Sequence, residues 1–296
     1  MTAPGVPAGH REQTAGRGLA TRVVDRAITV AAARAAAPGG IRFTERQLYY
    51  ATCRVLWPAP ALLGRLPYSP APSLRLSHFT RALRARVTAV PGLLSQAEVG
   101  TAAGPGAGPA REPDLYDYGL PRLLVCQDRS LARMLVANHV HLEAGCPVVA
   151  AEECWPLDAR LVAALERAEG ATVYVLHDAS PAGVALPARL RAGLGPVPGV
   201  RVSSLGLVPR HAAALHLASG RTRGPVALPE PLPRGLRPRE VAWLARGRFA
   251  QLAAVPPDRL LRAVLRRTRG PRPPRPSVWD ELRDLRAAGF LTWPTP

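Results

Sequence analysis

Lysine is absent from this chain of 296 residues, so all 39 of its basic side chains are arginines. Acids are scarce too, 21 Asp and Glu together, which leaves a formal net charge of +18. A chain this basic is drawn to polyanions, because neutralising phosphates releases their condensed counterions. The excess of Arg, Ala, Pro and Gly is also what a GC-rich genome writes, but codon bias of that kind would enrich the acids as well. The surplus is uneven besides, with 18 Arg against 6 acids from Arg201 onward. Nucleic acid is the partner that the charge points to.

Cysteine is scarce and scattered. Cys53, Cys126, Cys146 and Cys154 form neither a CxxC pair nor a disulfide framework, which fits a reducing cytoplasm. The segment Met1 to Arg17 lacks the apolar stretch of a signal peptide, and no run of about 18 apolar residues follows, so no membrane span is expected. No G-x-G-x-x-G follows the first predicted strand, and there is no Walker A pattern, so any ATP dependence would come from a separate subunit. His139, His141 and His177 stand without a fourth ligand at zinc spacing. No repeat of 20 to 50 residues suggests a solenoid.

What is present divides into five stretches. Residues 1–18 read as a disordered Gly-, Ala- and Pro-rich tail, residues 98–116 as a linker of similar composition, and residues 221–296 as a basic, helical C-terminal extension. Residues 19–97 carry three helical patterns. The first runs over 19–37, with Val23, Val24, Ile28, Val30 and Ala31 on its apolar side, and stops at Pro38-Gly39-Gly40. The second starts at Thr44 as N-cap with Gln47 completing a capping box, and runs to Pro58. The third covers 77–90 and exposes Arg81, Arg84 and Arg86. Three short helices with basic faces suggest a helix-turn-helix or winged-helix unit.

Residues 117–220 change character. Apolar runs at 123–126, 147–151, 172–176 and 200–205 alternate with helical segments near 131–141, 157–168 and 184–194, the pattern of βαβ units in a parallel sheet. Such sheets bind ligands beyond the carboxyl ends of their strands, which is where Gln127, Glu152, Glu153 and Asp178 fall. The extension is expected to add helices at 238–252, 257–268 and 278–288. Arg262, Arg266, Arg267 and Arg269 belong to its densest basic patch, together with Arg259, Arg272 and Arg275.

Two regions of the chain carry a family resemblance. Arg42-Phe43-Thr44-Glu45-Arg46-Gln47-Leu48-Tyr49-Tyr50 resembles the helix bearing the nucleophilic tyrosine in topoisomerase VI A subunits and the related meiotic break-forming transesterases. Downstream, Leu124–Gln127, Val148–Pro156, the strand and turn Val173–Gly183, and Ser204–Pro209 resemble, in order, the strands and loops of the family's Toprim unit. The resemblance covers about two thirds of the chain. It implies an α/β fold in which an N-terminal helical, winged-helix-like domain precedes a Toprim-like parallel-sheet Rossmannoid domain. It also implies double-stranded DNA as substrate, a homodimer and a separate ATPase subunit.

The resemblance places the nucleophile at Tyr50, with Tyr49 as the alternate. Arg46, four residues earlier on the same helical face, is positioned to steady a tyrosinate or a phosphate. Arg42, Arg81, Arg84, Arg86, Arg262, Arg266, Arg267 and Arg269 are the candidate DNA contacts. The family's Mg²⁺ site takes three carboxylates, but only Asp178 stands here. Gln127 and Ser180 occupy the other two positions, leaving Glu152 and Glu153 as weaker substitutes. A neutral amide and a hydroxyl strip most of the Coulomb attraction for a hard cation. Three readings follow: a type IIB topoisomerase-like transesterase with an eroded metal site, a non-catalytic DNA-binding subunit descended from one, and a helix-turn-helix regulator.

Overall fold

The computed structural model describes residues 9–57, 68–95, 119–155, 157–168, 170–228 and 235–269. The expected linker, Arg272, Arg275 and the expected helix at 278–288 lie outside them. Helix α1, Gly9–Ala36, begins well inside what the composition marked as a tail. Ile28, Ala31, Ala32 and Ala35 form its buried stripe at helical spacing, while Val23, expected on that side, is exposed. The helix ends where the Gly40 and Ile41 N–H groups both donate to the Ala36 carbonyl.

Helix α2, Glu45–Leu56, starts at the expected capping box. The Gln47 N–H donates to Thr44 Oγ1 at 3.1 Å, and the Thr44 N–H donates to Gln47 Oε1 at 2.9 Å. Helix α3, Leu76–Arg84, is shorter than its pattern suggested. The chain turns after it, and the Arg86 guanidinium reaches back to the Asp25 carboxylate and to Thr29 Oγ1 on α1. Leu93 then makes an isolated parallel bridge with Phe43.

The second half is the expected parallel sheet. Strands β1 (Arg122–Cys126), β2 (Val148–Ala150), β3 (Thr172–Leu176) and β4 (Arg201–Ser204) lie in the order β2-β1-β3-β4, all parallel. Side chains alternate across the pleat and so fill two different cores. Leu123 and Val125 of β1, with Val173 and Val175 of β3, pack against helices α6 (Ala159–Arg167) and α7 (Pro181–Leu194). Leu124, Cys126 and Leu176 face the other way, into a core shared with Ile28, Phe43, Leu48, Tyr49 and Tyr50. The N-terminal helices therefore share one hydrophobic core with that face of the sheet.

Helix α4 (Arg129–Ala137) and helix α5 (Val140–Ala144) replace the single helix expected near 131–141. The break has a tertiary cause. Asn138 donates to the Arg42 and Met134 carbonyls and accepts from the Arg42 N–H, and His139 after it takes a left-handed φ of 58°. One amide thus ties the start of the Tyr50 segment to the α/β half.

The extension departs most from expectation. After helix α8 (Pro209–Ala214) come strand β5 (Ser219–Arg221), helix α9 (Pro238–Ala245), strand β6 (Arg248–Ala250), a 3-10 turn over Leu252–Ala254 and helix α10 (Pro257–Thr268). The helix expected over 238–252 stops at Ala245 because Gly247, at φ 71°, turns the chain into β6. A Cβ on Gly247 would lie 2.3 Å from Thr222 Oγ1, so the turn needs glycine. Strands β5 and β6 form an antiparallel ribbon, joined to the sheet by the Ala179–Ala250 bridge.

Candidate functional site

Burial and backbone pairing bring the two halves of the sequence pattern to one place, the carboxyl edge of β1 and β3. Helix α2 packs on α1 and on the 3-10 turn that follows β6, which sets Tyr50 beside residues 200 positions away. The Tyr50 hydroxyl donates to Gln251 Oε1 at 2.8 Å. One residue further, the Leu252 N–H donates to Asp178 Oδ1 at 2.6 Å. Tyr50, Gln251, Leu252 and Asp178 therefore form one hydrogen-bonded junction between α2, β6 and the end of β3.

The electrostatics follow from burial. Tyr50 is only 4% exposed, and its phenol is pushed up to about 12, chiefly by burial. Arg46 pulls against that shift and Asp178 adds to it, so both groups lie within electrostatic reach of the ring. Burial also raises the Asp178 carboxyl, to about 6, with the Leu252 N–H and Arg46 pulling it down and Asp128 pushing it up. At neutral pH the phenol is therefore protonated, and the carboxyl holds its proton more tightly than an exposed aspartate.

Tyr49, the alternate, points elsewhere. Its hydroxyl donates to the Leu74 carbonyl at 2.7 Å, its ring meets Phe79 edge-on at 5.5 Å, and burial raises its pKa. It is a core residue tying α2 to the segment before α3.

The donors expected around Mg²⁺ are committed to the fold. Gln127 Oε1 accepts from the Asp178 N–H at 2.9 Å, and Ser180 Oγ caps α7 by accepting from the Gly183 N–H at 3.1 Å. A Cβ on Gly183 would lie 2.3 Å from the Asp178 carbonyl and 2.7 Å from Gln127 Oε1, so this turn closes only around glycine. Glu153 sits between Arg129 and Arg133, at 2.9 and 3.1 Å, while Glu152 is exposed in the turn after β2. Among the described residues no group of three His, Cys, Asp or Glu side chains is placed to hold a metal. The three positions thus hold one carboxylate, a neutral amide and a hydroxyl, each with an oxygen that accepts from a backbone N–H group.

No family model, curated protein or solved structure matches the chain. The site rests on its own geometry.

Three contributors are not marked in the sequence, and a fourth, His177, is weighed there only as a zinc ligand. Gln251 lay inside an expected helix. Asp128, next to Gln127, caps α4 by accepting from the Ser130 and Leu131 N–H groups. Arg54 is drawn into the core, donating to the Ala254 carbonyl at 2.7 Å, and burial lowers its pKa. His177 is buried between the Asp178 carbonyl, to which Nδ1 donates, and Ser204 Oγ, from which Nε2 accepts. Its burial lowers its pKa, and it is a neutral strut under the Asp178 turn.

The candidate DNA-contacting arginines are dispersed. Arg81 and Arg84 are exposed on α3, whereas Arg86 is mostly buried against Asp25. Arg42 is partly buried where Asn138 holds its backbone. On α10, Arg266 and Arg267 are exposed, Arg262 pairs with Asp258, and Arg269 pairs with Glu143.

Proposed function

We propose that this protein binds double-stranded DNA without cutting it, on a scaffold resembling the topoisomerase VI A subunit whose tyrosine junction has become structural. The observation that carries the reading is the Tyr50 hydroxyl, buried and donated to Gln251. A phenol attacks phosphorus only when its oxygen is accessible and its proton has somewhere to go. Here the proton is already donated to a neutral amide, which cannot act as a base. The neighbouring Asp178 accepts from a backbone N–H and has Gln127 and Ser180 where the resemblance expects acids.

Binding is the task of the surface. The net charge of +18 and the exposed guanidiniums of α3 and α10 favour a phosphate backbone over any small ligand. The test is incubation of the full chain with supercoiled and linear duplex in Mg²⁺, in Mn²⁺ and in EDTA, followed by denaturing analysis for covalent adducts. Salt-steep binding, equal in EDTA and without adduct, is the expected result. An adduct that disappears in Tyr50→Phe overturns it.

A transesterase reading has one observation in its favour: Arg46 acts on both Tyr50 and Asp178 through charge, as a group steadying a tyrosinate and a phosphate would. In that reading the Gln251 bond opens when DNA binds. The adduct assay separates the two.

A further inference from the structure

Strand β6 begins with a charge arrangement that the fold itself does not need. In the β5–β6 ribbon Arg221 stands directly opposite Arg248, both exposed. Like charges facing each other across an antiparallel pair destabilise it. The usual remedy is an acid on one strand, yet no carboxylate among the described residues pairs with either arginine, nor with the exposed Arg246 two positions before Arg248.

The three arginines are not scattered over a convex surface. They line a cleft of about 480 Å³ with Ser219, Ala71 and Pro72. Its walls are held by the backbone: the Ser219 N–H donates to the Pro70 carbonyl at 2.8 Å, Thr222 N–H to the Gly247 carbonyl at 2.8 Å, and Ala179 and Ala250 bond reciprocally. A preformed concavity lined by three arginines and no acid suits a tetrahedral oxyanion, since a guanidinium can present paired N–H donors to two phosphate oxygens.

The cleft is also close to the tyrosine junction. Arg248 lies three residues before Gln251, about 10 Å along extended chain. A smaller cavity lined by Tyr50, Arg54 and His216 shares Ala71 and Pro72 with it as lining. We propose that Arg221, Arg246 and Arg248 form a phosphate-binding cleft that holds a backbone phosphate of nucleic acid beside the Tyr50 junction. This deepens, and rests on, the reading of the protein as a DNA binder.

The test uses the full chain and the variants Arg221→Gln/Arg248→Gln and Arg221→Lys/Arg248→Lys. Duplex binding is followed by fluorescence anisotropy over a series of salt concentrations. For the glutamine variant the affinity is expected to fall at least about tenfold, and the slope of log K against log salt to shrink by about two. The lysine variant keeps the slope but loses affinity, because an ammonium lacks the guanidinium fork. If the parent chain binds DNA and the glutamine variant matches it in affinity and slope, the cleft is overturned while DNA binding stands on other arginines.

A second arm separates free phosphate from a nucleic-acid backbone. Thermal unfolding is compared in pyrophosphate and in chloride of equal ionic strength. Should the parent chain bind no DNA, the DNA reading falls. Stabilisation by pyrophosphate that is lost in the glutamine variant then assigns the cleft to a free phosphate ligand, and no stabilisation overturns it.

Discussion

Replacing Asp178 with asparagine removes a charge from a place where burial resists it. The carboxyl titrates near 6 instead of its ordinary 3.8, chiefly because it is buried. The rise from 3.8 to about 6 corresponds to about 3 kcal/mol against the charged form. The asparagine Oδ1 still accepts from the Leu252 N–H, losing about 1 kcal/mol of charge assistance. Asp178→Asn is therefore expected to stabilise the protein by about 2 kcal/mol at pH 8, or roughly 4–8 °C in Tm.

The sign reverses the usual behaviour of a paired carboxylate. Because the folded-state pKa is the higher one, the native chain binds more protons between about pH 4 and pH 6. Stability of the parent falls as pH rises through that window and levels off above it. The variant should lack that fall, so the two chains agree to within about 1 kcal/mol near pH 4 and separate by pH 7. Urea unfolding at several pH values measures this directly. A variant less stable than the parent at pH 8 refutes the reasoning, and would mean that Arg46 outweighs burial and holds a needed charge.

Two further perturbations test what joins the halves. Asn138→Ala removes hydrogen bonds to the Arg42 N–H, the Arg42 carbonyl and the Met134 carbonyl, with an expected loss of about 1–3 kcal/mol in chemical unfolding. An unchanged midpoint would show that the Arg42 segment is held by packing alone. Gly247→Ala places a Cβ 2.3 Å from Thr222 Oγ1 and 2.7 Å from the Gly224 carbonyl at φ 71°, so a loss of about 2–4 kcal/mol is expected. Since β6 carries Arg248 and leads into Gln251, that variant should also weaken DNA binding, read by the same anisotropy titration.

The capping box at Thr44 and the four apolar runs were legible because each depends on local spacing. Thr44 and Gln47 satisfy each other within one turn, and the strand periods of β1 and β3 set which side chains face each core. The stretch after Ala245 was not legible. Its residues carry a helix-forming composition, and a single glycine in the left-handed region, packed where a Cβ would meet Thr222, turns it into a strand. Gln251 was hidden with it, since nothing around it marks a hydrogen-bond partner for a phenol 201 positions earlier.

Asp178 was found as an acid after a buried strand, yet its partner is the backbone of Leu252, which no residue type announces. Glu153, a weaker metal candidate in sequence, stands between Arg129 and Arg133, which its position in the chain does not announce. In the sequence Arg221 and Arg248 are two arginines among 39. Only the ribbon's register sets them face to face.

By itself the sequence determined composition, charge, strand alternation and the local caps, all of which act over a few residues or over the chain as a whole. Tertiary structure alone decided which groups meet: Tyr50 with Gln251, Asp178 with Leu252, Asn138 with Arg42, Arg221 with Arg248. The physical reason is range. Helix and strand periods are written by neighbours, whereas the protonation and exposure of a phenol or a carboxyl depend on groups that packing brings from far along the chain.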